Sequence, residues 1–130
     1  MYEAVTHGIR VRATPLYMEE ESSPHEGRYF WAYTIEIVNE GSETVQLHTR
    51  HWRITDATGR TEEVRGPGVV GQTPVLEPGT SFRYTSGCPL PTPSGIMVGS
   101  YQMTTEAGES ITVAVPAFSL DSPHSVRRLN

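Results

Sequence analysis

Residues 28–55 read RYFWAYTIEIVNEGSETVQLHTRHWRIT. From Arg28 to Asn39 the residues Tyr29, Trp31, Tyr33, Ile35 and Ile37 alternate on one side, and Phe30, Ala32, Thr34, Glu36 and Val38 occupy the other. Aromatic and β-branched residues at period two predict a strand packed on a sheet core. Asn39-Glu40-Gly41-Ser42 reads as the turn to the next strand, Thr44–Thr55. That strand contains a parity conflict. Val45 and Leu47 share one parity, whereas Trp52 and Ile54 share the other. A regular strand cannot bury both pairs on one face. The pattern therefore predicts a β-bulge, one extra residue within His48–His51, which keeps Trp52 buried and splays Arg50 or His51 outward.

Working outward from this hairpin, Ala4–Thr14 reads as one strand, with His7 breaking the parity of Val5, Ile9, Val11 and Ala13. Tyr17–Gly27 is acidic and reads as an exposed loop. Asp56-Ala57-Thr58-Gly59 makes a turn into a short strand, Thr61–Arg65. The stretch 66–79 holds four glycines and three prolines and reads as a long irregular connection. Ser81–Ser86 reads as a strand, Cys88–Gly95 as a surface loop, and Ile96–Thr105 as a strand. The last strand starts at Ile111, Val113 and Val115, and Pro116 confines it to an edge or a bulge. The core spans about residues 4–120, and 121–130 reads as a flexible tail. About seven strands without a substantial helix predict one all-β domain over 1–130, an immunoglobulin/fibronectin-type-III-like sandwich, with an up-and-down barrel as the alternative.

Composition narrows the function. The chain has 130 residues and a formal net charge of -5, and all ten of its basic residues are arginine. Without lysine there is no P-loop lysine and no Schiff base. An acidic balance without a basic run argues against nucleic-acid binding. No stretch is long and apolar enough for a membrane span, and the start lacks a signal-peptide pattern. The expectation is a soluble cytoplasmic protein without membrane insertion. The single cysteine, Cys88, forms no intrachain disulfide and reads as a small buried residue.

Gly66-Pro67-Gly68-Val69-Val70-Gly71 is a literal G-x-G-x-x-G. The dinucleotide fingerprint needs a helix after the glycines, and Gln72–Gly79 cannot supply one. Two readings of the string remain: a compact loop that uses positive φ, or an anion nest of backbone amides assisted by Arg65. His48 and His51 would make a metal pair only if a bulge re-aimed one ring, and no third ligand lies near in sequence. Glu19–Glu26 lacks the ligand spacing of a calcium loop. No nucleophile elbow is present. The expected binding residues are Arg50, His51, Arg65, Gly66, Gly68, Val69, Val70 and Gly71, with no catalytic residue, metal ligand or cofactor assigned.

Leu47–Tyr101 resembles the ApaG family. The residues that carry the resemblance are Arg50-His51-Trp52-Arg53-Ile54, Val64-Arg65-Gly66-Pro67-Gly68-Val69-Val70-Gly71, Pro74, Pro78-Gly79, Phe82, Tyr84-Thr85-Ser86-Gly87, Gly95, Met97 and Gly99-Ser100-Tyr101. Tyr33–Asn39 and Val115–Leu120 extend it, and only the acidic loop and the tail depart from it. The resemblance implies a fibronectin-type-III-like sandwich. It also implies an association with cobalt resistance and magnesium efflux, and a protein-binding role in appended domains. A nucleotide or pyrophosphate role through the glycine string is implied as well. The expectation is a non-enzymatic interaction module that binds another protein through the glycine-rich loop and neighbouring strand ends. The alternatives are a small-anion or nucleotide-phosphate binder, at most a weak phosphohydrolase, and a weak divalent-metal binder. A homodimer is a further expectation.

Overall fold

The computed structural model describes residues 2–125 as nine strands in two antiparallel sheets. The strands are β1 (Tyr2–Thr6), β2 (Ile9–Tyr17), β3 (Tyr29–Asn39), β4 (Val45–Asp56), β5 (Thr61–Pro67), β6 (Val75–Leu76), β7 (Ser81–Leu90), β8 (Ser94–Thr105) and β9 (Ser110–Asp121). One sheet has the order β1-β2-β3-β7 and the other β5-β4-β8-β9, with β6 paired to β4. The fold is the expected all-β sandwich, not a barrel. Two single 3-10 turns, Glu19–Glu21 and Pro24–Glu26, lie in the acidic loop. No helix among the described residues is long and apolar enough to cross a membrane.

The alternation of residues sets the faces. Trp31, Tyr33, Ile35 and Ile37 of β3 are buried, and their neighbours are half-exposed. Opposite them, β8 contributes Met97, Tyr101 and Met103, and β9 contributes Val113, Val115, Phe118 and Leu120. Trp52 meets Tyr33, Tyr101 and Phe118 edge-on, at ring-centroid distances of 5.5, 6.5 and 6.0 Å. Such tilted pairs add to the apolar burial. The Trp31 indole N–H donates to the carbonyl of Asp121 at 2.8 Å, which pins the end of β9 to β3.

The bulge falls where the parity conflict requires it. β4 pairs with β8 as Leu47↔Met103 and then Thr49↔Gln102, so His48 is the extra residue. Val45, Leu47 and Trp52 are then all buried. Gly99 stands opposite Trp52. A Cβ there would lie 2.6 Å from the His51 carbonyl and 2.7 Å from the Trp52 ring, so the bare glycine makes room for the indole. β9 repeats the device. Its register with β8 shifts between Met97 and Gly99, opposite Pro116, so Val115 and Phe118 both point inward. Pro116 therefore lies on an edge strand and at an irregularity, as expected.

Several sequence expectations need correction. Ala4–Thr14 is not one strand: His7 (φ 51) and Gly8 (φ 77) form a two-residue hairpin turn between β1 and β2. Both central residues are left-handed, the turn type whose twist matches paired strands. The parity break at His7 was the sign of this turn. Cys88–Gly95 is not a surface loop either, because β7 continues through Pro89 to Leu90 and β8 begins at Ser94. Proline is accepted there because β7 lies at a sheet edge. The connection 66–79 is more ordered than expected, since β5 reaches Pro67 and β6 adds two residues. Within the expected tail, Ser122 and Ser125 both donate to the Pro93 carbonyl. Residues 126–130 of that tail lie outside the described residues.

Asn39 is the buried polar residue of the core. Its side-chain amide donates to Glu43 O and Leu76 O, each at 2.8 Å, and its carbonyl oxygen accepts from Gly41 N–H at 2.9 Å. Burial without cost requires this full satisfaction.

The bulge account makes Trp52 a core residue and leaves His51 on the outer face. Trp52→Ala should destabilise by about 3–5 kcal/mol in denaturant unfolding. His51→Ala should cost less than about 1 kcal/mol. Equal losses would contradict this assignment of faces.

Candidate functional site

The sheets meet along one side, where the Ala114 amide donates to Thr6 Oγ1 and Tyr2 packs on Phe118. They open on the other side, between the edge strands β5 and β7. A cleft of about 350 Å³ lies there, lined by Tyr33, Arg50, Trp52, Ile54 and Met97, by Glu62 and Val64 of β5, and by Ser86–Leu90 of β7. A smaller hollow of about 190 Å³ shares Tyr33, Arg50, Trp52 and Ser86, and is bounded by Tyr84 and Val69-Val70-Gly71. The two are neighbouring parts of one groove with Arg50 in both.

Arg50 reaches the groove because of the bulge. With His48 extra, Arg50 shares the inner face of β4 with Trp52 and Ile54. Of the two residues expected to splay outward, His51 does so, and Arg50 keeps to the inner face. Nη1 of Arg50 donates to Pro67 O at 2.9 Å and Gly68 O at 3.0 Å. Gly66 stands directly opposite Arg50 in the β4–β5 ladder. A Cβ on Gly66 would come within 2.9 Å of the guanidinium, so Gly66 lets the side chain lie across the strand. No carboxylate among the described residues pairs with Arg50. Its charge is held in a half-buried groove without neutralisation.

The rest of the glycine string builds a turn. Val69 N–H donates to Gln72 O, and Gln72 N–H to Val69 O, around Val70 (φ 43) and Gly71 (φ 78). Gly68 N–H donates to the carbonyl of the bulged His48 at 2.7 Å. Gly68 is itself left-handed (φ 59), and a Cβ there would strike Gln72 O at 2.3 Å. Val69 is buried and plugs the core, whereas Val70 is exposed. The string's inward-pointing amides are thus largely committed to the protein. Those of Val70 and Gly71 donate to no acceptor among the described residues.

The expected site residues divide between two faces. Arg50, Val69, Val70 and Gly71 border the groove, with Gly66 beneath the arginine and Gly68 shaping the turn. His51 and Arg65 lie on the outer face, paired across β4 and β5, and line a shallow hollow there that Arg50 and Gly66 also border. Nε2 of His51 lies 2.8 Å from Glu63, and Arg65 is exposed. The expected help from Arg65 to the glycine-string amides is therefore not what the geometry offers, because Arg65 is on the other side of its strand. His48 bonds Thr104 Oγ1 through Nε2 at 2.7 Å, so the two histidine rings have separate partners. No group of three or more metal-ligating side chains is gathered among the described residues. Tyr33, Trp52, Val64, Ser86 and Leu90 are groove residues that sequence reasoning missed. Once the bulge is granted, parity alone places Arg50 with Trp52, but the facing wall depends on how the sheets pair.

Burial sets the ionisation of the groove's deeper groups. It pushes the Cys88 thiol from its ordinary 9.0 up to about 11, with the charge of Glu62 adding to the effect. Such a thiol is protonated at neutral pH and is a poor nucleophile. Tyr84 and Tyr101, hydrogen-bonded hydroxyl to hydroxyl, are both raised above the ordinary phenol range, mainly by burial. Burial raises Tyr33 too.

A family model for the ApaG domain matches residues 19–105. The chain belongs to the ApaG family. A Protein ApaG of Rhodospirillum centenum is 62% identical over 130 residues, 100% of each chain. One from Methylorubrum populi is 66% identical over 124 residues, 95% of each. Among solved structures, one named for an ApaA protein of Bordetella pertussis matches with a TM-score of 0.87 at 49% identity. It covers 90% of this chain and 95% of that one.

The raised groups predict a pH dependence of stability. Unfolded Cys88 ionises first, so its contribution is complete below pH 9 and is lost as pH rises toward 11. That loss is on the order of 2–3 kcal/mol. The buried tyrosines add to it above pH 10. Urea midpoints measured from pH 8 to 11 should fall over this window, and the Cys88→Ala variant should fall less steeply. Parallel curves would contradict the burial assigned to the thiol.

Proposed function

We propose that this ApaG-family chain is a non-enzymatic binding module that engages another protein through the groove between β5 and β7. The observation that carries the reading is Arg50, a fixed, half-buried guanidinium without a carboxylate partner among the described residues. A buried charge is stabilised by a partner of opposite sign, and arginine forks suit carboxylates and phosphates. Around it the groove offers apolar walls from Ile54, Val64 and Leu90. The thiol of Cys88 is protonated at neutral pH, and both β4 histidines are engaged, so the groove holds binding groups and not an assembled nucleophile and base. The module works in the cytoplasm, and any link to cobalt resistance or magnesium homeostasis runs through its partner.

Affinity purification from native cells at normal abundance tests this. Arg50→Glu reverses the groove charge, and Arg53→Glu makes the same change on the outer face. Proteins recovered with the wild type and with Arg53→Glu should be depleted roughly tenfold with Arg50→Glu. A thermal melt confirms that each variant is folded. Recovery of the bait alone across several lysis conditions, or equal recovery with all three baits, would overturn the proposal.

A second reading rests on the same arginine together with the amides of Val70 and Gly71. A phosphate or pyrophosphate ion would fit these donors, and the chain would then be a small-anion binder, at most a weak phosphohydrolase. Pyrophosphate at millimolar concentration should shift the amide resonances of Val70 and Gly71. No shift there would end this reading and leave the first intact.

A further inference from the structure

Resting on the protein-binding reading, we infer that β7 is a docking edge: an extended partner segment pairs with its free side and sets an acidic side chain on Arg50. β7 is the last strand of its sheet and runs for ten residues. It pairs with β3 without interruption from Tyr29↔Leu90 to Val38↔Ser81. Its other side therefore presents a regular row of unsatisfied backbone donors and acceptors. Such a row is a template for another strand unless charge, proline or a bulge guards it.

The other edges are guarded and β7 is not. β1 folds against β9 through the Ala114–Thr6 hydrogen bond. β9 carries Pro116 and a register shift. β5 carries Glu62, Glu63, Arg65 and Pro67 in seven residues. β7 has Arg83 and Pro89 toward its two ends, and Tyr84–Cys88 between them contains neither charge nor proline.

The cleft is the place where the added strand belongs. Glu62 and Val64 of β5 line it with Arg50 and Ile54 of β4 beside them, whereas the inward residues of β8 and β9 in the same sheet are buried. Neighbouring strands lie about 4.8 Å apart, so a strand added to β7 extends its sheet over β5. Inward side chains of that strand would then enter the cleft two residues apart. The chemistry along the cleft specifies them. An acidic side chain at the Arg50 end neutralises the unpaired guanidinium. An apolar side chain two residues along meets Ile54, Val64 and Leu90. Asp56, Arg60 and Glu62 also line the cleft, two acids against one base, and so disfavour a second acid there. Main-chain bonding provides affinity and the alternate side chains provide selectivity, the usual division in strand addition.

Selection from a random ten-residue peptide display library, with the full chain as bait, tests this. Enriched peptides should carry Asp or Glu with an apolar residue two positions away. They should slow hydrogen exchange of β7 amides between Ser81 and Leu90. Changing the peptide's acid to its amide should weaken binding roughly tenfold. The Arg50→Gln variant should weaken it similarly and Arg50→Lys less. Because the peptide change leaves the protein intact, the test survives any folding defect in the arginine variants. Enriched peptides that lack an acid, or that protect another surface, would overturn the docking edge and leave the module reading standing. Failure to enrich any peptide would also overturn it, with the module reading then decided separately by the cellular purification. Protection of β7 that rises with protein concentration alone would assign the edge to a second copy of the chain, against this inference.

Discussion

One extra residue in β4 sets the geometry on which the groove depends. Val45 and Leu47 must enter the same core as Trp52, yet their spacing forbids this in a regular strand. Inserting His48 as a bulge resolves the conflict, and its carbonyl is used to hold Gly68. Burying the indole instead of leaving it exposed contributes roughly 2–3 kcal/mol, more than a local loss of ladder pairing costs. The bulge is thus a packing solution first. Its effect on the groove is secondary but direct, because it brings Arg50 onto the inner face beside Trp52.

The glycine string follows from the same arrangement. Gly66 lacks a side chain because Arg50 lies across it, and Gly68 turns where any Cβ would meet Gln72 O. Gly71 completes a left-handed turn with Val70, and Val69 closes the core beneath it. The string has the letters of a dinucleotide fingerprint but not its strand–turn–helix setting. Its first glycine clears space for a guanidinium, and the others shape a hairpin turn in which Val69 and Gln72 bond each other and the amides of Val70 and Gly71 donate to no acceptor among the described residues. Arginine, turn and edge strands are consequently one assembly, and a change at Gly66 would reach the groove through Arg50.

The fold was legible wherever burial alternates along the chain. β3 was readable from its five alternating aromatic and aliphatic residues, and the bulge from a parity conflict only a few residues long. The hairpin at His7-Gly8 left a trace as one misplaced residue, but histidine at a left-handed turn position is a weak signal beside asparagine. The continuation of β7 through Pro89 was hidden because proline's tolerance depends on being at an edge, which is a property of the whole sheet. The site was only partly legible. Arg50 and the loop residues were identifiable, but their grouping was not, since His51 and Arg65 point to the opposite face, into a hollow that Arg50 and Gly66 border from their own side. The β7 wall of the groove arises from packing between sheets, a long-range relation that local periodicity does not encode.

The register of β4 against β8 decides which face carries Arg50. Backbone interstrand NOEs in the isolated protein measure it directly. The account predicts contacts for Leu47–Met103, Thr49–Gln102 and Trp52–Gly99, with His48 unpaired. An unbroken ladder that placed His48 opposite Gln102 and Trp52 opposite Val98 would contradict it, turning Arg50 away from the groove.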